Sequence, residues 1–214
     1  MSLSTTPATA RTDVAAPRTS SVTTASTRLA RRVGIAVAGG SAAWAAGMLT
    51  FTNTPPAGTV QHYVYEVTAL VFQLGLVALV TLQLKTAATG TGRLARGFLH
   101  AEHVLLGLAI ASTLTWLFAR EYQDTAWFLA LDVFWPLSML GMAAIGVRIA
   151  IAGRWKGAAR FWPLVAESWA PVVVPFSALV PAIAHVAGAT HLTIGYVMLG
   201  VILARRPELT GARD

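Results

Sequence analysis

From residue 33 onward the chain alternates apolar runs of about 18 to 25 residues with short polar or glycine-rich connections. A run of that length, wound as a helix rising about 1.5 Å per residue, crosses a hydrocarbon core of roughly 30 Å. The pattern predicts six spans, at residues 33–51, 61–84, 94–119, 126–152, 162–182 and 185–204. Barrel strands would instead show about ten-residue segments alternating apolar and polar, whereas residues 67–80 are apolar on nearly every face. The expected fold class is therefore all-α: a polytopic membrane protein built as a bundle of six transmembrane helices.

Prolines mark two of these spans for distortion. The fifth carries Pro163, Pro171, Pro175 and Pro181, and Phe134-Trp135-Pro136 interrupts the fourth. Each internal proline removes a backbone hydrogen bond and frees a carbonyl. The turn between spans five and six is short. Residues 1–27 are rich in Ser, Thr, Ala and Pro without apolar periodicity, so a disordered tail is expected there. The transmembrane domain then occupies residues 28–206 and a second short tail residues 207–214.

Composition agrees with lipid as the solvent: 55% of the residues are hydrophobic and only 12% charged. Cysteine is absent, which excludes disulfides, thiolate nucleophiles and Cys-ligated clusters. Arginine outnumbers lysine fourteen to two, a bias that fits a GC-rich bacterial genome. The net charge of +7 is distributed by topology. Fifteen Lys and Arg fall in the N-terminal tail, the second and fourth connections and the C-terminus, and only Arg120 falls on the opposite side. The positive-inside rule then places both termini in the cytoplasm and the chain in the cell (inner) membrane. The basic charge is expected to face anionic lipid headgroups, not nucleic acid, and Trp127, Trp155 and Trp162 sit where an interfacial belt would lie.

Ionisable side chains within spans are costly and rare, which makes each a candidate for function. At the outer side His62, Glu66, Asp132, His185 and His191 share a depth, and His62, Glu66 and Gln73 form a polar stripe on one face of span two. Two imidazoles and two carboxylates, from His62, Glu66, Asp132 and His191, suit zinc or non-haem iron, since nitrogen and oxygen ligands serve both. A single haem would pair His62 with His185 or His191. The spacing is not diagnostic, however, and HExxH is absent. The default expectation is a hydrogen-bonded cluster without a cofactor. Convergence of these groups requires spans two, four and six to be neighbours.

At the inner side lie His100, Glu102, His103, Arg148 and Glu167, where an Arg148–Glu167 ion pair would neutralise both charges. Clusters on both sides would serve a proton-coupled carrier, but only uncharged candidates such as Gln73, Ser112, Thr113, Thr115 and Ser138 stand between them. Six short spans would need to dimerise to enclose a pathway. Gly107, Ala111 and Thr115 form a small-residue row on span three, and Gly141, Gly195 and Gly200 are placed for close helix approach. His62 and His185-Val-Ala-Gly188 are spaced as in rhomboid proteases, but the nucleophile motif Gly-x-Ser-Gly is missing, which excludes that family. Three classes follow, in order: a membrane scaffold or sensor acting through protein partners, a small proton-coupled carrier, and a metal-dependent or haem-dependent membrane enzyme.

Overall fold

The computed structural model describes residues 25–51 and 55–213; the tail expected at residues 1–27 lies outside the described residues up to residue 24. Every regular element among the described residues is helical. Ser26 caps α1 (Thr27–Thr50) by accepting from the Leu29 amide, and Thr59 caps α2 (Val60–Lys85) by accepting from that of His62. Then follow α3 (Arg93–Phe118), α4 (Ala126–Asp132), α5 (Phe134–Ala152), α6 (Gly157–Ala166), α7 (Trp169–Leu179), α8 (Ala184–Leu192) and α9 (Met198–Arg205). Five stretches are long and apolar enough to cross a membrane: α1, α2, α3, the α4–α5 pair, and Pro181–Arg205, which holds α8 and α9.

Two breaks follow one local rule. Pro136 and Pro171 each lack the N–H that would bond four residues back, and each ring crowds that same carbonyl. The residues four back are Asp132, the last residue of α4, and Glu167, the C-cap of α6. Thus the expected fifth span is not one helix: α6 stops at Ala166, α7 starts at Trp169, and α7 ends before Pro181. The chain in this way brings an acidic residue to each proline-made break. A third irregularity is a π-helical turn, Thr193–Val197, joining α8 to α9. Trp162 Nε1 donates to the Ile194 and Gly195 carbonyls there, at 3.0 and 3.1 Å, which satisfies groups released by the widened turn.

Packing closes the bundle. α1 lies along α2 on one side and α8 and α9 on the other; α2 meets α3, α3 meets α5, α5 meets α6 and α7, and α6 returns to α9 and the π turn. Glycines set the closest approaches: Gly200 meets the α1 backbone at Ala38, Gly195 meets Ala166, and Gly141 faces the Glu102 carboxylate. Gly107 meets no atom within 4 Å of where its Cβ would stand, so the glycine of the small-residue row on α3 sets no close helix approach inside the bundle. At the core, Trp44 stacks on Phe72 and meets Trp135 and Trp169.

One end of the bundle is basic. Lys85, Arg154 and Arg213 line a shared cleft with Ala25 and Thr210, the Arg213 amide donates to the Ala25 carbonyl, and the Lys156 amide donates to that of Leu209. Pro207–Thr210 forms a turn with Pro207 and Thr210 buried, so the segment after the last helix folds back onto this end. Trp155 is fully buried there, its indole donating to Thr86 Oγ1 at 2.9 Å.

Candidate functional site

The five residues expected to cluster at the outer side are parted among four environments, with His185 and His191 drawn away because α8 packs on α1 and α7. His62 is buried, and both ring nitrogens are engaged: Arg120 Nη1 donates to Nδ1 at 3.3 Å, leaving Nε2 to donate to the Trp116 carbonyl at 3.3 Å. His185 is half-buried and lines a cavity of about 410 Å³ with Met48, Tyr65 and Trp169. His191 Nε2 lies 3.2 Å from Ser168 Oγ at the α6–α7 break, while its Nδ1 is buried without a partner. Among the described residues, no three His, Asp or Glu side chains stand close enough to hold a metal ion.

Glu66 and Asp132 do meet. They line a cavity of about 430 Å³ walled by Trp44, Tyr65, Trp116 and Trp135. Asp132 is held in place through one oxygen, Oδ1, which accepts from Ser112 Oγ at 3.0 Å and from Trp116 Nε1 at 3.3 Å. Arg120 stands close by, its guanidinium 5.1 Å from the Trp116 ring centre and its Nε bonded to Gln123 Oε1. The α4–α5 break delivers Asp132 to this cavity, and a second-turn position on α2 delivers Glu66 to it.

Nearer the basic end a second polar group forms inside the bundle. Glu167, fully buried, accepts from Gln83 Nε2 at 2.6 Å through Oε1. Its other oxygen, Oε2, has no partner, nor has Gln83 Oε1. The expected Arg148–Glu167 ion pair does not form: Arg148 is exposed and its Nη2 lies beside Gly90. Across the bundle Glu102 is 1% exposed, and its Oε1 likewise lacks a partner. Tyr196, carried on the π turn, is fully buried with an unpaired hydroxyl. His103 bonds locally, donating from Nδ1 to the Leu99 carbonyl at 2.8 Å and meeting Thr81 Oγ1 at 3.1 Å, whereas His100 is exposed.

Gln73 on α2 is 2% exposed with neither amide atom paired, and Ser112 and Thr113 on α3 are buried in the wall of the Glu66 and Asp132 cavity. Sequence reasoning did not single out Gln83, Tyr196 or Trp44. The one signal available was the proline placed four residues after Glu167, which marks the carbonyl and side chain at the break. No protein-family model, curated protein or solved structure matches this chain.

Proposed function

We propose that the chain crosses the membrane six times, with α6 and α7 together making the fifth crossing, and carries a small solute coupled to protons. The pair runs over residues 157–179, roughly 34 Å of helix at about 1.5 Å per residue. Ala25 and Arg213, the first and last described residues, lie at the end that gathers Lys85 and Arg154, so the positive-inside rule makes that end cytoplasmic.

The observation that carries the reading is the pair Glu102 and Glu167, each holding a carboxylate oxygen buried without a partner. An ionised carboxylate in that position is expensive unless it takes up a proton or meets a cation. A group that is charged only when the bundle opens around it is what proton coupling requires. Two further features support it: the discontinuous helices, which in transporters line solute and ion sites, and the solute-sized cavity at Glu66 and Asp132. A scaffold has no use for two unpartnered carboxylates in its core, and a metal or haem enzyme would need ligands that His62 has already committed to Trp116 and Arg120.

The test is proton movement in proteoliposomes loaded with a pH-sensitive dye and challenged with a panel of cationic, neutral and anionic small solutes. At least one solute is expected to shift luminal pH with wild-type protein, and Glu102→Gln and Glu167→Gln are each expected to reduce that shift about tenfold or more. A full panel without any solute-dependent shift, from protein that is inserted and folded, sinks the carrier reading.

A further inference from the structure

We infer that the cavity holding Glu66 and Asp132 binds a small organic monocation, a protonated or quaternary amine. This rests on the carrier reading only for what happens after binding. Three features of the cavity argue for that chemistry.

The first is charge. Two carboxylates line the cavity, and one guanidinium, Arg120, acts on Glu66. The carboxylates thus outnumber the one guanidinium beside them. Arg120 is already committed: its Nη1 bonds His62, its Nε bonds Gln123, and its face lies over Trp116. Among the described residues, Glu66 accepts no hydrogen bond and Asp132 accepts only through Oδ1. Acceptor capacity therefore faces the cavity unused.

The second is the wall. Trp44, Tyr65, Trp116 and Trp135 surround these carboxylates. Aromatic faces carry negative quadrupole charge and attract cations most strongly where water is excluded. Trp116 shows this within the chain itself, since a guanidinium already rests on it. Trp44, 5% exposed, borders the cavity while stacking on Phe72 and meeting Trp135 edge-on, so the wall is a packed aromatic cluster whose members hold one another in place.

The third is size. About 430 Å³ is far larger than a bare metal ion needs and matches the lower range of small-molecule sites. Carboxylates set within an aromatic box of that volume recognise an ammonium group bearing organic substituents.

Calorimetric titration of the detergent-purified full chain with benzyltrimethylammonium tests the assignment, with benzyl alcohol and benzoate as neutral and anionic comparisons. Saturable one-to-one binding of the cation alone is expected. Glu66→Gln should weaken it about tenfold, whereas Arg120→Gln, by removing the competing positive charge, should tighten it several-fold. Asp132→Asn takes the place of Glu66→Gln if the latter does not elute as a folded species. Equal binding of benzyl alcohol, or an affinity unchanged in both carboxylate variants, overturns the assignment and leaves an apolar crevice that lipid or detergent fills. Because the titration needs no gradient, cation binding without proton flux removes only the carrier reading, and flux without cation binding removes only this one.

Discussion

A Gly34→Val or Gly200→Val protein is expected to lose the folded bundle. A Cβ on Gly34 would stand 2.5 Å from the Ala204 nitrogen and the Gly200 carbonyl oxygen, and one on Gly200 would stand 2.5 Å from the Ala38 nitrogen and the Gly34 oxygen. Those neighbours are backbone atoms, so no rotamer change relieves the collision and α1 must separate from α9. Overpacking typically costs about 1 to 3 kcal/mol, and a rigid backbone contact belongs at the top of that range. In lipid the close approach matters more, because association there depends on van der Waals fit and not on apolar burial. Thermal unfolding followed by fluorescence-detected gel filtration measures it, with Gly107→Val as the comparison. Gly107 has open space around it, so its variant should fall within about 0.5 kcal/mol of wild type. Equal loss in both would mean that α1 and α9 do not pack as described.

That contrast also shows what the sequence could and could not tell. Span length is a property of the chain alone, and the expected limits 61–84, 94–119 and 126–152 lie within a residue of Val60–Lys85, Arg93–Phe118 and Ala126–Ala152. Small residues announce that some helix comes close without saying which. Gly107, which opens the row on α3, faces open space, whereas Gly200 and Ala204, the same spacing on α9, meet α1. Pro136 and Pro171 mark breaks that the four-residue offset locates at Asp132 and Glu167, whereas Pro163 and Pro175 stand inside α6 and α7 without one, so the sequence does not say which proline breaks its helix.

The candidate clusters were legible in depth and illegible in azimuth. Counting residues from a span end put Glu66 and Asp132 at one level, and they share a cavity. The same count put His191 beside them, yet α8 faces α7, and its imidazole meets Ser168. Arg148 and Glu167 likewise share a depth while pointing apart. Gln83 reads as an interfacial amide because it lies two residues from the end of α2, and only the inward turn of that helix brings it to Glu167. Aromatic residues such as Trp44 and Tyr196 are indistinguishable from packing until their N–H and O–H groups are found buried and unpaired.

Glu102→Met is expected to make the protein more stable and inactive as a carrier. The glutamate is 1% exposed, its Oε1 has no partner, and its Oε2 is pressed against Gly141. Methionine has similar length and flexibility, fits beside the same glycine, and brings no polar atom that must be satisfied. Replacing a buried ionisable group by a well-packed apolar one is often neutral or stabilising by about 1 to 4 kcal/mol, so a rise in unfolding temperature of a few degrees is expected. Glu167→Met should behave differently, because it strands the Gln83 amide that now donates to Oε1 at 2.6 Å; a buried donor left without an acceptor costs about 1 to 3 kcal/mol and cancels the gain. The two variants therefore separate an unpartnered carboxylate from a hydrogen-bonded one. If Glu102→Met instead unfolds earlier than wild type, then Glu102 is held by favourable interactions, and the argument that it stays buried for proton exchange loses its physical basis. If it gains stability while proton flux disappears, the carboxylate is kept at a cost in stability that only function can explain.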